Sequence, residues 1–271
     1  MNTTMITVGL IGGGQMAEAL ILGMLQAELL QKGQVKVIDP DSDRVQYLCN
    51  TYGVGAAETA EELCRTCQVL ILAVKPQVYG QVLTAYGPCF TSDHMLISIM
   101  AGISLEALEN CLPESSKIIR VMPNTPCLVQ AGASAFSANS QVSSDEKQFC
   151  QDIFSAVGCC LELPEYQLDA VTGLSGSGPG YVFSLIDGFI DGGVLAGLPR
   201  PVAQQLILHT FYGAAKLAIE SGKPPAVLKE QVTSPGGTTI RGIQVLEQYS
   251  MRAACMDSVK AAADRSKELG A

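Results

Sequence analysis

Short apolar runs rich in valine and isoleucine recur through the first 165 residues, at 6–11, 35–38, 69–74, 95–99 and 118–122. Unbroken runs of this length, in place of alternating ones, mark strands covered on both faces of a parallel sheet. Helical spacing fills the gaps. Met16, Ala19, Leu20, Gly23, Met24 and Ala27 recur at i, i+3 and i+4, and Asp41 or Ser42 is placed to cap a helix running to Tyr52. Ser104 is placed to cap a helix over 105–112, and Ser143 with Glu146 forms a capping box before 149–157. Strand–helix alternation of this kind predicts an α/β domain with a doubly wound sheet of Rossmann type over residues 1–164.

After residue 163 the pattern changes. Strand-like runs stop, and helices are expected at 181–195, 202–220, 226–232, 239–249 and 252–269, punctuated by Pro199, Pro201, Pro224, Pro225 and Pro235. Their faces are too apolar to stand alone, as in Leu206-Ile207-Leu208 and Phe211. An all-α second domain over residues 165–271 is expected, with its boundary near Pro164.

Composition narrows the function classes. The chain has 271 residues, 48% apolar and 16% charged, which excludes an intrinsically disordered protein. A net charge of −9 argues against gripping a nucleic-acid backbone. No apolar run is long enough to span a membrane, and no Lys or Arg precedes Lys32 to form the basic start of a secretory leader. A cytoplasmic protein with mostly reduced cysteines is the expectation. Cys64 and Cys67 form a C-x-x-C, but with only His94 and His209 in the chain no zinc set of fitting spacing completes it, and no metal is expected.

Residues Gly12 to Ala17 read Gly-Gly-Gly-Gln-Met-Ala, a G-x-G-x-x-A spacing between the first strand and the first helix. Gly12 suits the tight turn, Gly14 leaves bare backbone where a pyrophosphate approaches, and Ala17 lets helix and strand pack closely. Gln15 and Met16 open the helix whose amides face the phosphates. The expected cofactor is a nicotinamide dinucleotide, NADPH or NADH; a turn serving packing alone is the competing account. Asp39, at the end of the second strand, is placed to bond a ribose 2′-hydroxyl and repel a 2′-phosphate. It is equally placed as a turn-former in Asp39-Pro40-Asp41, and Arg44 offers a phosphate partner, so the choice of dinucleotide stays open. Ala73-Val74-Lys75-Pro76-Gln77 follows a strand at the sheet edge where ligands gather, and Lys75 is either a surface lysine or a cofactor neighbour.

Two Gly-rich stretches open helices in the second half: Gly173-Leu174-Ser175-Gly176-Ser177-Gly178-Pro179 and Ser234-Pro235-Gly236-Gly237-Thr238-Thr239. Glycines at a helix start expose N–H groups that suit a small carboxylate, although capping chemistry alone needs the same residues. The acid–base inventory is sparse. His94 adjoins a core strand, His209 lies among apolar helix residues, and no Lys/Asn pair stands on the helices as in 3-hydroxyacid dehydrogenases. Reduction of a C=N bond tolerates this, because an iminium is already protonated when it accepts hydride.

In these motifs, and in Arg120-Val121-Met122-Pro123-Asn124-Thr125-Pro126 and Leu228-Lys229 through Leu246-Glu247, the sequence resembles the pyrroline-5-carboxylate reductases over essentially its full length. The resemblance implies NAD(P)H-dependent reduction of 1-pyrroline-5-carboxylate to L-proline, and a homodimer with interleaved C-terminal helices that often assembles further. It implies a site between the nucleotide domain and helices drawn from both chains. Gly236, Gly237 and Thr238, with Ser234 in the same turn, would hold the substrate carboxylate, and Thr239 would bond the ring nitrogen. Met122, Pro123 and Asn124 would flank the nicotinamide, with Lys75 and Ser175 nearby; Lys75 and Thr239 are the catalytic candidates. Two departures stand out: relatives that carry Asn near Ala60 contact the adenosine side with it, and Gly180 replaces a usual alanine. The rival readings are a reductase of pyrroline-2-carboxylate or a small oxo acid, and a nucleotide-sensing protein without turnover.

Overall fold

The computed structural model describes residues 6–270. Eight strands form one sheet: β1 (Val8–Ile11), β2 (Val35–Ile38), β3 (Gly55–Ala56), β4 (Val69–Leu72), β5 (Met95–Ser98), β6 (Lys117–Met122), β7 (Gly132–Ala138) and β8 (Gly158–Glu162). They lie in the order β3-β2-β1-β4-β5-β6-β7-β8. Pairing is parallel except between β6 and β7, where Ile119 faces Ala138 and Met122 faces Ala135 in antiparallel register. The order reverses between β1 and β4, which pair from Val8↔Val69 to Ile11↔Leu72. Every residue of β1, β4 and β5 is buried, as their unbroken apolar runs require.

The helices of this part are α1 (Gln15–Gln26), α2 (Ser42–Tyr52), α3 (Ala60–Thr66), α4 (Tyr79–Tyr86), α5 (Leu105–Glu109), α6 (Ser144–Ser155) and α7 (Leu168–Val171). Asp41 caps α2 through the amides of Asp43 and Arg44, Ser104 caps α5, and the Ser143/Glu146 capping box forms as expected. Helix α5 stops short of residue 112, because Cys111 and Leu112 bond the carbonyls three residues back and Pro113 follows. The C-x-x-C straddles the end of α3, with both thiols free and buried.

The chain divides into two compact units. The sheet unit runs past the expected boundary at Pro164 to Ser177 and takes back the last turns from Lys260 onward. There Ser266, 3% exposed, donates to the Asp169 carboxylate at 2.7 Å. The helical unit, Gly178–Val259, holds α8 (Gly178–Leu195), α9 (Arg200–Ser221), α10 (Pro225–Gln231), α11 (Thr238–Gln248) and the start of α12 (Met251–Leu269). Its own core is small: Ile186, Ile190 and Ala203 are buried, and Phe189 meets Phe211 edge to face at 5.9 Å. Phe183, Leu195, Leu206, Tyr212, Leu217 and Ile219 remain exposed. Among the described residues, no helix is long and apolar enough to cross a membrane.

Candidate functional site: a dinucleotide cleft and a glycine-opened helix

The loop after β1 is shaped by what a side chain would hit. Gly12 has φ +102°, and a Cβ there would stand 2.6 Å from the Ala73 carbonyl oxygen. Its amide donates to the Ile38 carbonyl at 2.8 Å, which draws the loop across the end of β2. Gly14 differs. It is the N-cap of α1 with no side chain capping the helix, and a Cβ there would meet nothing within 4 Å. Bare helix amides beside open space fit the phosphates of a dinucleotide. Behind Gly14, Ala17 is fully buried where the helix packs on the sheet.

Beside the loop lies a cleft of about 570 Å³ with Gly12, Asp39, Glu58, Val74, Val82 and Tyr86 among its lining. Its apolar walls and size suit an adenosine half. Asp39 performs the turn-forming role in full: Oδ1 accepts from the Asp41 amide at 2.9 Å and Oδ2 from the Gly13 amide at 2.7 Å. Arg44 is drawn to the same loop. Its Nε donates to the Gly13 carbonyl, and a terminal nitrogen pairs with Glu18, each at 2.5 Å. Glu18 also accepts from Tyr52 at 2.7 Å and Tyr47 at 3.1 Å. Burial pulls the Glu18 carboxyl upward, but the donors Tyr52, Arg44 and Tyr47 outweigh it and hold the group below its ordinary value. The carboxylate in turn pushes the Tyr52 phenol up to about 12.

Lys75 is exposed and precedes the 3₁₀ turn Pro76–Val78, beyond the end of β4. The segment after β6 is fixed more tightly. Pro123 and Asn124 are buried, and Asn124 accepts from the Ala133 amide at 2.9 Å while donating to the Ser175 carbonyl at 3.0 Å. Ser175 sits in a π-helical turn, Thr172–Gly176, and a Cβ on Gly176 would collide with the end of Met122. Met122, Pro123, Asn124 and Ser175 therefore come together. Beneath them Arg120, 5% exposed, reaches Glu165 at 3.1 Å and Asp169 at 3.6 Å, an arrangement that no local sequence signal announces.

In the helical unit, Gly236 takes φ +68° and Gly237 is the N-cap of α11. The positive φ at Gly236 favours glycine, while a Cβ on Gly237 would displace the Ser234 hydroxyl and stand 3.2 Å from its carbonyl. No side chain caps α11, and Thr238 and Thr239 are exposed on its first turn. The two histidines do different work. His94 Nδ1 accepts from the Thr91 amide at 2.9 Å and Nε2 lies 2.8 Å from the Cys64 carbonyl, a structural bridge, whereas His209 is exposed on α9. Burial pushes the Cys64 thiol up to about 12, which keeps it protonated and unreactive.

Two family models match the chain. Residues 165–269 match pyrroline-5-carboxylate reductase dimerisation, and residues 7–102 match NADP oxidoreductase, coenzyme F420-dependent. A pyrroline-5-carboxylate reductase from Synechocystis is 46% identical over 265 residues, covering 98% of each chain. The crystal structure of Plasmodium falciparum pyrroline carboxylate reductase with NADP bound is 36% identical, covers 98% of each chain and superposes with a TM-score of 0.87. A pyrroline-5-carboxylate reductase structure from Coxiella burnetii is 31% identical with a TM-score of 0.93, covering 98% of this chain and 99% of that one. With likeness of this degree along almost its full length, the chain belongs to the pyrroline-5-carboxylate reductase family.

Proposed function

We propose that the protein reduces 1-pyrroline-5-carboxylate to L-proline with NAD(P)H, acting as a homodimer whose C-terminal helices interleave and which can assemble further. The observation that carries the reading is the start of α11, where the Gly237 amide bonds the Ser234 carbonyl at 3.1 Å and, with no side chain capping the helix, the first-turn amides that follow stand beside two threonine hydroxyls. Those amides bind the substrate carboxylate, with the positive end of the helix behind them. The Thr239 hydroxyl oxygen accepts the N–H of the iminium ring and orients the C=N bond. Ser175 and the Met122–Asn124 segment shape the place of the nicotinamide ring, with Lys75 at its edge. The bound reduced nicotinamide supplies the hydride. As the imine carbon gains it, the C=N π pair becomes the lone pair on nitrogen, which already carries its proton in the iminium form. Orientation and fixed dipoles do most of the catalysis. A cytoplasmic location accords with the buried free thiols Cys64, Cys67, Cys127 and Cys150.

The test is loss of reduced-nicotinamide absorbance on adding pyrroline-5-carboxylate, with pyrroline-2-carboxylate and simple 2-oxo acids run beside it. Turnover is expected with pyrroline-5-carboxylate, and a preference for either alternative overturns the assignment. Thr239→Ala is expected to lower kcat by roughly tenfold or more; an unchanged rate with unchanged KM removes Thr239 from the mechanism.

A further inference from the structure

We propose that the enzyme is built for NADH in preference to NADPH, and that Asp39 together with the Glu18–Arg44 pair sets the choice. The proposal rests on the reductase reading and adds which dinucleotide that site takes. The two cofactors differ only at the adenosine ribose, where one carries a 2′-hydroxyl and the other a phosphate with about −1.5 to −2 charge.

The adenosine cleft is matched to the hydroxyl. Its lining carries two carboxylates, Asp39 and Glu58, and neither lysine nor arginine. Asp39 is held in place, each of its oxygens taking one backbone amide, from Gly13 and Asp41. Each oxygen keeps a further lone pair for a ribose hydroxyl. A 2′-phosphate would meet the same negative charge, held in place by those two amides, a repulsive element of the kind that decides between close competitors.

The cation that would offset this charge is already committed. Arg44 stands by the same loop: a Cβ on Gly13 would lie 3.4 Å from Arg44 Cγ and 3.5 Å from Asp39 Cβ. Its guanidinium is turned to the loop carbonyls of Gly13 and Gly14 and to Glu18, and lies 5.0 Å from the Tyr47 ring centroid. Glu18 is anchored in turn by the hydroxyls of Tyr47 and Tyr52. Arg44 therefore braces the phosphate loop and does not reach toward a 2′-phosphate.

The experiment is calorimetric titration of NADH and NADPH into the intact enzyme without imine acid. The wild type is expected to bind NADH roughly tenfold or more tightly than NADPH. Asp39→Asn keeps the shape and removes the charge, and should bring the two affinities together mainly by tightening NADPH. Glu18→Gln loosens Arg44 and should shift the ratio of the two affinities several-fold toward NADPH. Equal or tighter binding of NADPH by the wild type overturns the proposal, as does an unmoved ratio in both variants while they still bind NADH. The two readings fail separately. Preferential NADH binding without NADH oxidation by pyrroline-5-carboxylate removes the reductase and leaves the binding preference standing, whereas turnover with NADPH favoured in binding does the reverse.

Discussion

The side-chain amide of Asn124 donates to the Ser175 carbonyl at 3.0 Å and so ties the end of β6 to a π-helical turn 51 residues further along the chain. Its carbonyl oxygen is used as well, by the Ala133 amide at the start of β7. With 9% of Asn124 exposed, water is a poor substitute for either partner. Asn124→Ala leaves a backbone N–H and a backbone C=O unpaired, at about 1–3 kcal/mol each. Urea unfolding should show that loss, and kcat should fall more than cofactor affinity, because the Met122–Asn124 segment and the Ser175 turn lose their common anchor while the cleft beside Asp39 does not.

Gly12 and Gly14 make opposite predictions although they are two residues apart. Gly12→Ala forces a side chain into positive φ and against the Ala73 carbonyl, so it should cost roughly 1–3 kcal/mol of stability. Gly14→Asp meets open space in extended backbone and supplies a good N-cap to α1. Its stability should hold or rise by up to about 1 kcal/mol. Dinucleotide binding should nonetheless be lost, since a carboxylate then occupies the phosphate position. Thermal melting set against calorimetric titration separates the two effects, and equal loss of stability in both variants would contradict the geometry.

What burial imposes on a strand is legible in the sequence. The runs at β1, β2, β4, β5 and β6 are apolar because both faces are covered, and the helices after residue 178 fall within three residues of expectation at each end. Strands β3, β7 and β8 carry no such apolar run. Strand β7 reads Gly-Ala-Ser-Ala-Phe-Ser-Ala, with no β-branched residue, and β8 opens with Gly158. The two strands begin where Gly132 and Gly158 touch; a Cβ on Gly158 would collide with the Gly132 backbone, so both positions carry a residue that ordinarily signals a loop. At the cleft, the glycine turn and Asp39 were legible because their demands are local. The Glu18–Arg44 pair spans 26 residues and exists only once α1 and α2 are folded onto the sheet, as does the Arg120 cluster under Met122.

Glu146 links stability to pH. Its carboxylate, 3% exposed, accepts from Lys117 at 2.8 Å and from the Ser143 amide and hydroxyl, each at 2.8 Å. Burial pulls its pKa upward, but Lys117 and Ser143 outweigh burial and hold it below the ordinary 4.5. The unfolded chain therefore takes up the proton first. The contribution is complete above the ordinary value and is lost as pH falls through the lower folded one. Glu146→Gln should cost about 1–3 kcal/mol near neutral pH by leaving Lys117 without its carboxylate. The gap between variant and wild type should close as urea titrations move down through the acid range; a gap independent of pH would exclude this linkage.

The helical unit carries more uncovered apolar surface than its own three-residue core can account for. Phe183 on α8 is 64% exposed and Leu206 on α9 is 56% exposed. Full burial of such a side chain contributes roughly 1.5–3 kcal/mol, so a few of them are enough to drive association. If the same faces cover one another between two copies, a charge placed on them must be buried unpaired, at a cost large enough to split the assembly. Phe183→Glu and Leu206→Glu are therefore expected to move sedimentation from dimer or larger toward monomer, with turnover falling in parallel and helix content kept. Val129, 75% exposed in the sheet unit, is the control. Val129→Glu should leave both association and turnover unchanged, and if it dissociates the enzyme while the two helical variants do not, association runs through the sheet unit and not through α8 and α9.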